Sequence, residues 1–306
     1  MKNIFITGGS GFLGKFLIKE LSKKNKVYAP TSRQINLLNY KDLNKIKKKY
    51  DYIFHLAAWT QAGDFCLRFP GDQWLINQKI NTNILNWWKL KNPKAKMVFI
   101  GTSCSYPENL KLTEENYMKG EPNEGLYTYA MTKRMLLQGA RALEKQYKMK
   151  WLCLVPSTLY GPYYHKDGRQ MHFIFDLIKK ILLGYYKNKK VILWGNGYQK
   201  REIIHVKDFV NFTLKIYKKI NNEIINIGAG KEFTIREFAA KISKIVSFKF
   251  EKINFDKKKY TGTKSKKLEI KKINKLIPTY KKDQIKIEKG LRETINWFKN
   301  QLDLID

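Results

Sequence analysis

The apolar positions of the chain fall into two alternating patterns. Asn3–Thr7 is a short β-branched and aromatic run, which predicts a buried strand. A glycine turn from Gly8 to Gly14 follows, and Phe12, Leu13, Phe16, Leu17, Ile18 and Leu21 then recur at helical spacing. Val27-Tyr28-Ala29, Tyr52–Leu56 and Met97–Gly101 repeat the strand pattern, with amphipathic segments between them. A helix around Tyr129–Gln146 leads into a further strand at Trp151–Val155. Strands alternating with helices predict right-handed crossovers and a doubly wound parallel α/β sheet.

From about Pro156 the alternation loosens. A helix around Met171–Leu183 and an edge strand Val191–Trp194 predict a smaller α/β domain inserted into the first. Ile224–Gly228 reads as a return to the main sheet, and Thr234–Val246 as a helix outside it. The expected division is residues 1–158 plus about 203–230 for one domain, and about 159–202 plus 231–306 for the interleaved substrate domain.

Composition narrows the class. With 306 residues and 43% hydrophobic positions, a sizeable core is available and wholesale disorder is excluded. No apolar run approaches the roughly 18 residues of a membrane span, and the opening segment lacks the features of a signal peptide. Cys66, Cys104 and Cys153 have no metal-type spacing, so no metal is expected and a reduced, cytoplasmic setting fits. The net charge of +34 is spread along the whole chain, which argues against a nucleic-acid reader. That surplus instead favours attraction of an anionic, diphosphate-bearing substrate.

Thr7-Gly8-Gly9-Ser10-Gly11-Phe12-Leu13-Gly14 reads as TGxxGxxG between a strand and a helix. Gly8 permits the tight turn, Gly11 lets backbone approach a pyrophosphate, and Gly14 allows close helix packing. The helix start adds free N–H groups and a positive dipole end. The segment after the second strand, Ala29-Pro30-Thr31-Ser32-Arg33-Gln34, carries no carboxylate to hold a ribose 2′-hydroxyl. Arg33 and two hydroxyls favour a 2′-phosphate, so NADP(H) is preferred over the alternative NAD(H).

Tyr129-Ala130-Met131-Thr132-Lys133 forms YxxxK, which puts Tyr129 and Lys133 on one helix face. A nearby ammonium is expected to lower the phenol pKa and make Tyr129 a usable acid or base. Thr102, at a predicted strand end, offers a second hydroxyl to the reacting oxygen.

Together these motifs resemble the extended short-chain dehydrogenase/reductase family, and within it the epimerase-reductases of GDP-4-keto-6-deoxy sugars. Further likenesses are His55-Leu56-Ala57-Ala58, Gly101-Thr102-Ser103-Cys104-Ser105-Tyr106-Pro107 and Pro156-Ser157-Thr158-Leu159-Tyr160-Gly161-Pro162. Trp194-Gly195-Asn196-Gly197, Arg201-Glu202 and His205-Val206-Lys207-Asp208 continue the match to at least Leu268. The resemblance implies a Rossmann-type fold, with Thr102, Tyr129 and Lys133 catalytic and Cys104 and His172 as the acid–base pair for C3/C5 epimerisation. It implies cofactor contacts at Gly8, Gly11, Phe12, Leu13, Gly14, Arg33, Leu56, Ala57, Ala58, Tyr129, Lys133 and Pro156. Ser103, Thr158, His172, Trp194, Arg201 and Lys266 would bind substrate.

The implied activity is NADP(H)-dependent reduction at C4 of a GDP-linked sugar, coupled to epimerisation, in capsule or lipopolysaccharide precursor synthesis. The alternatives are an NAD-dependent C4 dehydrogenase and a non-catalytic dinucleotide-binding protein. The resemblance also implies a homodimer, with Asn81–Leu90 and its Trp87-Trp88 pair as a candidate contact. Two departures bear on the sugar pocket: Thr158 stands where the family pattern has asparagine, and Trp59-Thr60-Gln61-Ala62 replaces a glycine-rich stretch.

Overall fold

Strands β1 (Asn3–Thr7), β2 (Lys26–Tyr28), β3 (Tyr52–His55), β4 (Lys96–Ile100) and β5 (Trp151–Pro156) are separated by helical segments. These are α1 (Phe12–Leu21), α2 (Tyr40–Asn44), α3 (Phe65–Arg68), α4 (Pro70–Lys91) and α5 (Tyr127–Tyr147). The coordinates are a computed structural model that describes residues 1–165, 167–259 and 263–301. Gly262 and residues 302–306, the end of the second expected domain, lie outside the described residues.

Beyond β5 the chain forms β6 (Thr158–Tyr160), α6 (Phe173–Tyr186), β7 (Val191–Trp194), β8 (Lys200–Arg201) and β9 (Ile203–His205). Then come α7 (Val206–Ile216), β10 (Glu223–Ile227), β11 (Phe233–Thr234), α8 (Ile235–Val246), β12 (Ile253–Asp256), α9 (Lys271–Leu276) and α10 (Ile287–Lys299). The main sheet has the order β10-β5-β4-β3-β1-β2, with every pairing parallel. Strand order reverses between β1 and β3, and in such sheets the crevice at the carboxyl ends of the strands is the ligand site.

Both sheet faces are covered, which is why its strands read as near-continuous apolar runs. Phe5, Met97, Phe99, Trp151 and Cys153 face one cluster with Leu43, Ile84 and Leu136. Their neighbours Ile4, Ile6, Val98, Leu152 and Leu154 face the other, with Leu17, Phe209, Phe212 and Ile273. A third cluster gathers Tyr160, Phe175, Ile178, Leu193, Phe238, Leu291 and Phe298 from the chain beyond β5. It is built on α6, α8 and α10 and on the parallel pair β7–β12. The helix expected at Thr234–Val246 starts one residue later, because Thr234 is its cap: Thr234 and Glu237 bond reciprocally across the first turn.

One expectation is corrected. Trp87 and Trp88 are both fully buried in the core of the main sheet, and the Trp88 indole donates to the Ala95 carbonyl at 2.9 Å. They hold α4 to the sheet and offer no surface to a second subunit. Among the described residues no helix is long and apolar enough to cross a membrane.

Candidate active site

The glycine turn is tight because neighbouring backbone leaves no room. Gly8 has φ +70°, and a Cβ there would stand 2.8 Å from the Ala57 nitrogen at the end of β3. A Cβ on Gly14 would meet the Gly8 carbonyl oxygen at 2.4 Å. The first turn of α1 is thereby seated directly under the loop. Gly11 caps α1 without a side-chain bond, and no acidic residue occupies the first turn. Such a helix start suits a diphosphate. Phe12 stands edge-on to Tyr164 at 5.2 Å, joining the turn to the third cluster, while Leu13 packs on the sheet side.

Leu56, Ala57 and Ala58 are half-buried beyond β3, and Ala57 N–H donates to the Thr7 hydroxyl at 3.3 Å. The segment after β2 runs beside the turn, since a Cβ on Gly9 would lie 2.9 Å from that of Ala29. Arg33 is exposed on that segment. Pro156 ends β5, half-buried. A cradle that excludes side chains, a bare helix N-terminus and a carboxylate-free loop fit a phosphorylated dinucleotide.

Tyr129 sits in the first turn of α5, near enough for the Thr102 hydroxyl to act on its phenol. Thr102 is buried at the end of β4, and its hydroxyl also accepts from the Cys104 N–H at 3.2 Å. The buried Lys133 ammonium is 5.9 Å from the centre of the Tyr129 ring. The expected electrostatics differ in one respect. Burial pushes the Tyr129 phenol up, aided by Cys104 and Cys66, and only the Thr102 bond opposes it. Burial also pulls Lys133 down to about 8 against the influence of Cys153. Desolvation is thus the leading influence on both groups.

Three polar residues that the motifs do not single out hold this set. The Arg134 guanidinium is buried and donates to the carbonyls of Ser105, Lys119 and Gly120, fixing the loop after β4 against α5. His55 joins the Thr7 hydroxyl at 2.8 Å to the Asn81 amide at 3.3 Å, and Asn81 donates to the Thr132 carbonyl. Burial, and then the Lys133 charge, hold the His55 imidazole down to about 3, so it stays neutral beside that ammonium. Arg134 is hinted at only by its adjacency to Lys133, and His55 only as the first residue of the His55-Leu56-Ala57-Ala58 likeness.

Cys104 is half-buried, and the Lys266 ammonium lies 3.0 Å from its sulfur. His172 is the residue before α6, solvent-accessible, with its pKa lowered by the desolvating walls around it and by His165 and Lys266. Lys266 is thus the group that acts on both members of the expected epimerisation pair. Ser103, Thr158, Arg201 and Lys266 line one small pocket, joined there by Ser157, Glu202 and Leu268. Trp194 is not among them. It ends β7 half-exposed, near a separate cavity of about 740 Å³ lined by Tyr198, Arg236 and Lys257 to Lys259. That cavity is larger but contains none of the expected catalytic groups.

The unusual segment after β3 folds against α3. The Trp59 backbone exchanges hydrogen bonds with the Asn77 amide, and its ring packs on Phe65 at 4.7 Å. Next to it, Asp64 accepts from Gln170 at 2.7 Å, tying this loop to the segment that carries His172. Among the described residues no group of three or more His, Cys, Asp or Glu is placed to hold a metal ion.

A parallel sheet with a glycine turn at its switch point and a Thr–Tyr–Lys set opposite defines a dinucleotide-binding protein of the extended short-chain dehydrogenase/reductase class. Residues 4–228 match the NAD dependent epimerase/dehydratase family, and the chain belongs to that family. It is 28% identical to the GDP-L-colitose synthase of Yersinia pseudotuberculosis over 313 residues, covering 97% of this chain and 98% of that protein. It is 26% identical to the GDP-L-fucose synthase of Escherichia coli (strain K12) over 320 residues, 99% and 98% of the two chains. The fold is shared with the crystal structure of a GDP-L-fucose synthetase from Naegleria fowleri bound to NADP. The TM-score is 0.84, with 24% identity over 98% of this chain and 95% of that one.

Proposed function

We propose that this chain is an NADP(H)-dependent oxidoreductase that reduces the C4 ketone of a GDP-linked sugar, with epimerisation at C3 and C5 assigned to Cys104 and His172. The observation that carries the reading is the grouping of Thr102, Cys104 and the Lys266 ammonium just beyond β4, with Tyr129 on α5 near enough for Thr102 to act on its phenol. The two relatives named above, matched over nearly the whole chain, support the GDP sugar. The NADP-bound fold relative supports the cofactor.

In this reading Gly8, Gly11, Phe12, Leu13 and Gly14 hold the cofactor diphosphate, Arg33 the 2′-phosphate, and Leu56, Ala57, Ala58 and Pro156 line the same groove. The nicotinamide supplies a hydride when bound. Tyr129 gives its hydroxyl proton to the C4 oxygen, Thr102 orients that oxygen, and Lys133 compensates the phenolate left behind. Before reduction, the C4 ketone acidifies the neighbouring C–H bonds. One of Cys104 and His172 removes such a proton and the other returns one to the opposite face. Arg201 and Lys266 take the substrate diphosphate, with Ser103 and Thr158 toward the sugar.

The division into a dinucleotide lobe, 1–158 plus about 203–230, and a substrate lobe, about 159–202 plus 231–306, belongs to the same reading. The separate third hydrophobic cluster supports it. A cytoplasmic setting, supported by three free cysteines, and a homodimer, supported by the family resemblance, belong to the same reading.

Anaerobic incubation with NADPH and GDP-4-keto-6-deoxymannose tests the proposal. Loss of reduced-nicotinamide absorbance is expected. Failure to oxidise NADPH with any GDP-4-keto sugar, alongside NADP⁺ reduction by a GDP-sugar bearing a C4 hydroxyl, would reverse it.

A further inference from the structure

The pocket shared by Thr158, Arg201 and Lys266 contains a carboxylate that the chemistry above does not use. Glu202 is only 2% exposed, yet both its oxygens are engaged. Oε1 accepts from the Gly230 N–H at 2.5 Å, and Oε2 from the Leu268 N–H at 2.9 Å. Its backbone carbonyl accepts from the Thr158 N–H at 3.3 Å. Gly228 lies so close that a Cβ there would meet Oε1 at 2.6 Å. One residue therefore joins the strand that carries Arg201, the turn after β10, the segment that carries Lys266, and the start of β6.

A buried carboxylate is an expensive way to make a purely structural join. Its distinguishing property is that it presents two acceptors and no donor, which suits two N–H groups arriving from separate segments. We propose that Glu202 is a positioning residue for the substrate diphosphate, clamping the Lys266 segment to the Arg201 strand and so setting the separation of the two cations. The proposal rests on the reading of this pocket as the diphosphate site.

Glu202→Gln keeps the size but turns one acceptor into a donor that faces an N–H. The full chain is titrated calorimetrically with GDP-mannose and, separately, with NADPH. GDP-mannose binding is expected to weaken roughly tenfold; for a 4-keto substrate that needs no epimerisation, KM rises in proportion and kcat is little changed. NADPH affinity stays as in the wild type. Unchanged GDP-mannose affinity in a folded variant, or equal losses for both ligands, would overturn the proposal.

Should the variant not fold, the wild type provides the second measurement. Burial raises the Glu202 carboxyl to about 7, with Glu232 adding and the two backbone N–H groups and Lys267 opposing; the Tyr280 phenol is near enough to feel its charge. GDP-mannose is a diphosphate diester with no proton of its own to gain in that range. Its binding should weaken as pH falls through about 7, and a flat profile sinks the clamp. UDP-glucose run in parallel separates the two readings. If it binds in place of GDP-mannose, the base assignment fails and the clamp is read with UDP-glucose; if neither binds, the diphosphate site and the clamp fail together.

Discussion

The Lys133 ammonium stands 5.9 Å from the centre of the Tyr129 ring, one turn further along the same face of α5. Tyr129 is the member of the pair on whose phenol Thr102 acts. Tyr129→Phe removes the proton donor and leaves the ring packing, so kcat for ketone reduction should fall about 10²–10⁴-fold with NADPH binding intact. Single-turnover oxidation of NADPH measures it, and a full-rate variant would discard the mechanism.

The same pair dictates a pH dependence. Lys133 is held down to about 8, so above that pH the phenolate left by proton transfer loses its compensating charge. Reduction should decline as pH rises through about 8. Stability has the opposite sign. A lysine whose folded pKa lies below its ordinary 10.5 contributes stability that is present above 10.5 and is lost as pH falls through about 8. A loss of rate above about 8 without a fall in Tm is the expected result, and a flat rate profile is the one that counts against it.

Arg33 stands exposed beside the glycine turn with no carboxylate near it in sequence. Arg33→Ala should lower NADPH affinity by roughly 10- to 100-fold and leave NADH affinity nearly unchanged. Fluorescence titration with both cofactors decides it; parallel losses would mean that Arg33 only shapes the loop.

Gly14 and Gly71 make an opposed pair of stability tests. Gly14→Ala drives a Cβ to 2.4 Å from the Gly8 carbonyl, and backbone must move to admit it. A cost of about 1–3 kcal/mol is expected in urea unfolding, together with weakened NADPH binding. At Gly71, near the start of α4, nothing lies within 4 Å of an added Cβ. Gly71→Ala should raise stability by roughly 0.4–1 kcal/mol and leave the cofactor alone.

Cys104→Ser tests the second half of the chemistry. Solvent deuterium should no longer enter C3 or C5 of the 4-keto sugar, while a 4-keto substrate that needs no epimerisation is still reduced. Undiminished deuterium uptake would make Cys104 a bystander.

Much of the fold is written in the alternation of apolar runs, because strands covered on both faces need hydrophobic side chains at every position. Met97–Ile100 and Trp151–Val155 are of that kind, and each supplies both core clusters. The short β2, with two of three residues exposed, is less marked. The Trp87-Trp88 pair misleads because large aromatics at helical spacing read alike whether they meet a sheet or a partner. In the site, Tyr129 and Lys133 are legible because one helix face fixes their relation. Ser103, Thr158, Arg201 and Lys266 are far apart in the chain, and only a likeness to known motifs could group them. Arg134 and Asn81 escaped, and His55 and Glu202 stood in recognised motifs without a role, because buried polar residues act through partners that no local spacing reveals.

The last strand of the main sheet has a consequence for how the protein is made. β10 pairs with β5, but 66 residues separate Pro156 from Glu223, and they include α6 and α7. During synthesis β5 leaves the ribosome as a bare edge and waits for about half of the remaining chain before it is covered. A nascent chain stalled after Pro156 would expose that edge, a ready surface for mispairing. Chaperone dependence should therefore peak at chain lengths between β5 and β10 and fall once Ile227 is free to join the sheet.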